Sequence, residues 1–317
     1  MGRRNMVAAR LPEAEFVEAF NQLGPAELAR RYNLTERQVF RRRRSLEQRG
    51  IGVNGPSRVS PKPAQYPHRA DLTVEDGAII VASDAHYWPG EPSLMHRALV
   101  AFCKDLKPAA VVFTGDVIDA PTISRHPAIG WESRPQLVDE IEVAKERLGE
   151  IERAAFKAEK VWNLGNHDMR FETRLASVAP EYAKLHGVHL RDHFPNWRGA
   201  WSTWVNHSVV VKHRFKGGIH ATHNNTLAAG KTMVTGHLHS AKVTPYTDYN
   251  GTRYGVDTGC IADPDHRAFT DYTEDNPKNW RSAFAVLTFR AGELLQPELV
   301  VKWDDESVQF RGEIVTP

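Results

Sequence analysis

A chain of 317 residues, 41% hydrophobic and 25% charged, has the make-up of a folded globular protein and the length for one large domain beside a small one. It has no apolar run near the ~18 residues a membrane-spanning helix needs, and its two cysteines, Cys103 and Cys260, exclude a disulfide framework. The net charge of +2 conceals a split: 14 Lys and Arg stand against 6 Asp and Glu through Ala70, so a basic head precedes a net acidic body. Such a head fits a polyanionic partner. The basic start (Arg3, Arg4, Arg10) is followed by no apolar signal core, so a reducing cytoplasm is the expected compartment.

In chain order, residues 1–50 read as the helical head. Phe16, Val17, Phe20 and Leu23 fall at helical spacing, and Gly24-Pro25 stops one helix and starts a second, which runs to Tyr32. A turn follows at Asn33-Leu34. Thr35 and Gln38 then form a capping box for a third helix that turns Val39 and Leu46 inward and ends at Gly50. With Ala29 small, Asn33 suited to a left-handed turn and Val39 packing, the unit resembles a helix-turn-helix, whose second helix enters the DNA major groove. Arg37 and Phe40 then lie toward base edges. Arg41, Arg42, Arg43 and Arg44 sweep about 400° of helix, so only two or three of them can reach phosphates. A three-helix dimerisation head is the competing reading.

Residues 51–71, with Gly52, Gly55, Pro56, Pro61, Pro63 and Pro67, read as a linker, and 72–317 as the body. A strand over Ala78–Ala82, a helix over 92–107 and a strand over 110–114 make a β-α-β unit. A long helix before Val161 is expected to bury Leu137, Ile141, Ala144, Leu148, Ile151 and Ala155, with its Glu, Lys and Arg outside. Tyr182 to Trp204 is dense in aromatic and basic residues; core packing and a base-stacking cap are both open readings. Asn250-Gly251 and Ala291-Gly292 predict hairpins. Gly230-Lys231-Thr232 lacks the glycine at 225 that a phosphate-binding loop needs, because Asn225 stands there.

Five polar motifs each follow a short apolar run: Asp84-Ala85-His86, Gly115-Asp116-Val117-Ile118-Asp119, Gly165-Asn166-His167-Asp168, His213, and Gly236-His237-Leu238-His239. Strands ending in such side chains collect them along one sheet edge, where open α/β sheets hold their sites. Carboxylates and imidazoles with one Asn and no Cys suit manganese, iron, zinc or nickel. His220 and His223 follow Gly217-Gly218 in a candidate mobile loop and rank just below His213 as ligands.

In this order the blocks resemble the calcineurin-like metallophosphoesterase superfamily, whose pattern runs D-x-H, G-D-x-x-D, G-N-H-D/E, H and G-H-x-H. The resemblance spans Gly77 to Gly259 and implies an α/β fold, a four-layer β-sandwich flanked by helices. It implies two divalent ions, manganese first, with Asp84, His86, Asp116 and His239 on one and Asp116, Asn166, His213 and His237 on the other. A hydroxide bridging ions roughly 3.5–4 Å apart would attack phosphorus. His167 matches the histidine that binds phosphate and protonates the leaving oxygen, and Asp119 the carboxylate that orients it. For Asp168, capping the next turn and chemistry stay open.

Two departures stand out. Arg214 follows His213 where the family commonly has Gly, and Ala120 and Asp168 replace the Arg and Glu of the protein serine/threonine phosphatases. The expected function is a DNA-directed phosphodiesterase or nuclease, similar in its metal site to the double-strand-break repair nucleases of the superfamily. A small-molecule phosphatase or phosphodiesterase with a locating head is the alternative. A DNA-binding regulator with a dead site is a third reading, which the full ligand set argues against.

Overall fold

We describe a computed structural model covering residues 11–55, 66–126, 128, 130–131, 133–266, 269–270, 273 and 276–317. The chain divides into two units, Met1–Lys62 and Pro63–Pro317. Residues 56–65 of the predicted linker lie outside the described residues, as do Arg3, Arg4 and Arg10.

In the first unit, α1 (Glu13–Arg31) is broken at Gly24, whose φ of 75° and ψ of 172° no helix contains. Two helical runs therefore meet there, with Pro25 opening the second. Asn33 takes a left-handed φ of 50°, and Thr35 and Gln38 cap α2 (Glu36–Glu47) reciprocally, at 3.3 and 2.8 Å. Phe16, Phe20, Leu28, Ala29, Val39, Leu46 and Val53 form this unit's own core.

The second unit is a two-sheet sandwich. Its nine-stranded sheet contains β2 (Gly77–Ala82), β3 (Ala110–Phe113), β4 (Glu159–Asn163) and β5 (Arg198–Ala200) in parallel. An antiparallel wing adds β11 (Ala283–Arg290), β12 (Glu293–Leu294), β13 (Glu298–Lys302), β14 (Val308–Phe310) and β15 (Glu313–Val315). The six-stranded sheet contains β1 (Ala70–Leu72), β6 (Thr203–Val205), β7 (Val209–Val211), β8 (Thr232–Thr235), β9 (Lys242–Asp248) and β10 (Gly251–Asp257), in the order β1-β6-β7-β8-β10-β9.

The alternation of a strand builds the layers. From β2, Ile79 and Val81 face the space between the sheets, where they meet Val209, Val211, Val234 and Val256. Ile80 and Ala82 face the other way, onto Met95, Leu99 and Phe102 of α3 (Leu94–Leu106) and Leu148 of α4 (Leu137–Ala154). On the far side α7 (Ala221–Ala229) covers β8, β9 and β10. Each such aliphatic side chain contributes about 1.5–3 kcal/mol on burial, so strands buried on both faces read as unbroken apolar runs.

One expectation needs correction. Glu140 and Arg147 of α4 are buried instead of facing solvent, because Glu140 accepts hydrogen bonds from backbone N–H groups and Arg147 donates to Gly90 O at 3.0 Å and Glu150 Oε1 at 3.0 Å. Of the two open readings of Tyr182–Trp204, core packing holds for Phe194 and Trp197, while Tyr182 and Trp201 are exposed and Trp204 carries the Arg69 guanidinium 4.1 Å from its ring centre. The Asn250-Gly251 hairpin joins β9 to β10. Among the described residues no helix is long and apolar enough to cross a membrane.

Candidate metal centre

The ligand candidates all sit just past the carboxyl ends of strands. Asp84 and His86 follow β2, Asp116 and Asp119 follow β3, and Asn166 and His167 lie between β4 and α5 (Asp168–Val178). His213 follows β7, and His237 and His239 follow β8. Side chains turn inward there through backbone conformations that ordinary residues avoid. Asp84, His86, Asp116, His237 and His239 all have φ between 41° and 72°. Such residues cost on the order of 1–3 kcal/mol each and persist where the surroundings fix them.

Two glycines show how tightly the loops meet. A Cβ on Gly165 would stand 2.1 Å from Asp116 Oδ1, and one on Gly236 would stand 1.8 Å from Ser83 Oγ and 2.5 Å from Asp84 Oδ2. The motif glycines are there because carboxylates occupy that space.

Three groups of side chains converge closely enough to hold a cation: Asp84, His86 and His239; Asp116, His213 and His237; and His86, Asp119 and His167. His239 Nε2 stands 3.0 Å from Asp84 Oδ1, and His213 Nε2 stands 3.1 Å from Asp116 Oδ2 and from Asn166 Oδ1. The five blocks are thus brought together, and Asn166 and His213 face each other. His220 and His223 are not in these groups: His220 precedes α7, and His223 lies on it with its ring 5.4 Å from that of Tyr246.

The donor atoms fit divalent cations. His86 Nε2 is buried without a hydrogen-bond partner, an arrangement costing about 1–3 kcal/mol in a protein interior unless a ligand takes it up, and it lies 3.9 Å from Asp84 Oδ1, which His239 Nε2 also faces at 3.0 Å. His213 Nδ1 contacts Thr114 O at 2.7 Å, so this nitrogen carries a proton and Nε2 is the one turned to Asp116, open to a cation once its own proton leaves. By the same logic His86 Nδ1 donates to Asp119 Oδ1 at 3.3 Å and leaves Nε2 free.

Carboxylates and imidazoles in the cluster shift one another. Burial pushes the Asp84 carboxyl up, but His239 and His213 outweigh it and hold the group at about 2. Asp116 is likewise held well below the carboxylate range by His213 and His167 against its burial. Burial works against charge on His213, yet Asp116 pushes it up to about 9. Burial lowers His86, and burial with His213 lowers His237.

His167 and Asp119 form a pair at the rim. His167 Nδ1 lies 2.6 Å from Asp119 Oδ1, and the His167 backbone N–H donates to Asp116 Oδ1 at 2.8 Å. Burial opposes charge on both, but their mutual attraction, with Asp116 and His86 contributing, raises His167 and lowers Asp119. Arg170, one turn into α5, donates to Asp119 O at 2.7 Å and sits 3.2 Å from His167 Nε2.

Sequence reasoning missed Arg170, and it missed the clamp behind the loops. The Asp168 carboxylate accepts from Asp116 N, Val117 N, Trp162 Nε1 and Gly165 N at 2.7–2.9 Å. It is fully buried and ties the second and third motifs to one anchor. Glu140 Oε2 does the same for Asp119 N and Ala120 N, at 3.1 and 2.7 Å. Position four of G-N-H-D marked Asp168 in the sequence, whereas nothing there marked Glu140.

A sandwich whose strand ends converge on buried carboxylates and imidazoles is the architecture of a metal-dependent phosphoester hydrolase. Residues 77–255, more than half of the chain, match the calcineurin-like phosphoesterase family, and the chain belongs to that family. It is similar to the Gene 54 protein of Mycobacterium phage D29, at 28% identity over 242 residues, which cover 70% of this chain and 92% of that protein. The Gene 54 protein of Mycobacterium phage L5 is 26% identical over 245 residues, with the same coverage. Among solved structures, a dimetal phosphatase from Danio rerio aligns over 76% of this chain and 98% of its own, with 11% identity and a TM-score of 0.36.

Proposed function

We propose that the chain is a dinuclear-metal phosphodiesterase that cuts DNA, brought to it by the basic helical head. One ion would be held by Asp84, His86, Asp116 and His239, the other by Asp116, Asn166, His213 and His237, with manganese the first choice for this donor set. Bound ions of this kind lower the pKa of water and neutralise phosphoryl charge. The observation that carries the reading is the junction at Asp116. Its Oδ2 faces His213 at 3.1 Å and His167 Nε2 at 3.9 Å, so the ligand cluster adjoins a titratable pair.

The chain's own residues supply the rest. His167 offers a proton to the leaving oxygen, and Asp119, gripping Nδ1, fixes its ring and favours its charged form. Asp119 in turn is held by the Glu140 contact to its N–H and the Arg170 contact to its carbonyl.

In the head, α2 serves as the DNA-reading helix of a helix-turn-helix. Its arginines divide by their surroundings. Arg42 donates to Leu11 O and stacks 4.8 Å from the Phe16 ring centre, and Arg43 pairs with Glu47 at 2.8 Å and stacks on Phe20. Arg37, Phe40, Arg41 and Arg44 are exposed. Phosphate contact then falls to Arg41 and Arg44, with Arg37 and Phe40 at the base edges. The two buried, unpaired cysteines suit a reducing compartment.

The test is turnover of single- and double-stranded DNA beside p-nitrophenyl mono- and diesters, with chelator and with added Mn²⁺. Manganese-dependent cleavage of DNA and of the diester is expected. Cleavage of monoesters alone would make the protein a small-molecule phosphatase, and no manganese-dependent turnover of any ester would remove the reading.

A further inference from the structure

In the aromatic stretch whose composition suggested base stacking, Phe194 and Trp197 lie in the core while Tyr182 and Trp201 are exposed; another exposed ring, Phe215, lies close in sequence to the ligand candidate His213. Residues 193–247 contain six Lys and Arg and no Asp or Glu, within a body that is net acidic. In their midst runs Lys212-His213-Arg214-Phe215-Lys216-Gly217-Gly218-Ile219, which begins at a ligand candidate. We propose that residues 212–219 form a binding track for a single-stranded nucleic acid, with phosphates on Arg214 and Lys216 and a base stacked on Phe215. The inference rests on the DNA reading above and gives it a strand preference.

Three observations carry it. First, the track is tied to the centre: the exposed Arg214 reaches Asn166 Oδ1 at 3.5 Å, so its guanidinium lies beside a ligand candidate. Second, its backbone is pinned while residues 214–219 are exposed. Lys212 N donates to Val234 O at 3.0 Å, Gly236 N to His213 O at 3.1 Å, and Lys216 N to Asn225 Oδ1 at 2.8 Å, and Lys242 Nζ reaches Ile219 O at 3.2 Å. Third, Phe215 is 46% exposed and Ile219 73% exposed. The Lys212 ammonium lies 5.4 Å from the Phe215 ring centre.

An exposed phenyl ring set among three cations, with no carboxylate in the segment, has the chemistry of a stacking platform on a phosphate-tracking groove. Duplex DNA keeps its base faces covered, so a ring in this position finds a partner only on an unpaired strand. A cationic surface serving duplex alone would need the charges without the phenyl ring.

The test measures binding of the full chain, in chelator so that no strand is cut, to a labelled thymidine oligonucleotide of about a dozen nucleotides and to a duplex of equal length. Phe215→Ala should weaken the single strand about 5- to 100-fold and leave the duplex unchanged, while Phe215→Trp should retain single-strand binding. Arg214→Gln and Lys216→Gln should each flatten the salt dependence by about 0.7 log units per lost contact. Thermal unfolding of each variant alongside the parent separates lost binding from lost fold. Unchanged single-strand binding by Phe215→Ala would overturn the proposal, and so would an equal loss on both substrates, which would mean charge without stacking. If the parent chain cut no DNA with Mn²⁺ but the Phe215 pattern held, the nuclease reading would fall and the track would stand.

Discussion

Two sets of buried carboxylates lie back to back in this protein, and they are held in opposite ways. Asp168 and Glu140, behind the loops, are turned toward backbone N–H donors, four at 2.7–2.9 Å for Asp168 once the Trp162 indole is counted and two for Glu140. Asp84 and Asp116, in front, each accept one backbone N–H, from His237 and His167 at 2.8 Å, and turn the other oxygen to a histidine, Asp84 Oδ1 to His239 Nε2 at 3.0 Å and Asp116 Oδ2 to His213 Nε2 at 3.1 Å. Their acidities diverge, because burial is offset more by the histidines at Asp84 than by the N–H donors at Asp168 and Glu140. Burial, with Asp116 close by, pushes Asp168 up to about 6, and burial pushes Glu140 up to about 8; Asp84 is held at about 2. A carboxylate turned to backbone and indole N–H donors is a fastener, and one that keeps an oxygen toward histidine nitrogens is a ligand.

The largest expected effect breaks the fastener. Asp168→Ala leaves four buried donors unpaired, each costing about 1–3 kcal/mol, so denaturant unfolding should show a loss well above ~3 kcal/mol. Divalent-ion binding should fall with it, because Asp116 and Gly165 lose their common anchor. A loss near that of an ordinary surface substitution, within about 0.5 kcal/mol, would mean the loops hold themselves.

The ligand set should respond to ions instead. Mn²⁺ at about 100 times its dissociation constant should stabilise the parent chain by roughly 2.7 kcal/mol, read as a rise in the thermal midpoint. Asp84→Asn should lose most of that gain while unfolding normally in chelator. An equal gain in the variant would place the ions elsewhere.

These contrasts bear on what the sequence could convey. The strands that lead into the motifs were readable because apolar, β-branched runs such as Ile79-Ile80-Val81 serve a sheet buried on both faces. The cap of α2 and the Asn250-Gly251 turn were readable because their chemistry is local. The motifs also flagged every residue that the structure gathers at the strand ends. Hidden from the sequence were features set by distant partners. Glu140 looked like a solvent-facing residue of an amphipathic helix until Asp119 and Ala120, twenty residues back, required an acceptor. The left-handed turns at Asp84, His86, Asp116, His237 and His239 run against residue preference, so no local rule finds them. Aromatic content could not separate the core ring of Trp197 from the exposed ring of Phe215.

A smaller effect sharpens the fastener side. Burial lifts Glu140 from the ordinary 4.5 to about 8, the nearby Asp119 adding to it against the two N–H bonds. A group raised in the fold favours folding in its protonated form. Its contribution is therefore complete below about 4.5 and is lost as pH rises through about 8. Glu140→Gln keeps an acceptor without the ionisation, so the fall in stability between about pH 6.5 and 8 should be shallower in the variant. Denaturant midpoints across that range check it, and parallel slopes would show that Glu140 does not titrate there.

The most direct test of the account is the metal content of Asp116→Asn beside the parent, measured by elemental analysis after dialysis against Mn²⁺, with diester turnover on the same samples. The account predicts about two ions per parent chain, loss of ions from both positions in the variant and collapse of its turnover, because one carboxylate serves both. A variant that kept two ions and the parent's turnover would contradict the shared role of Asp116, and with it the dinuclear centre.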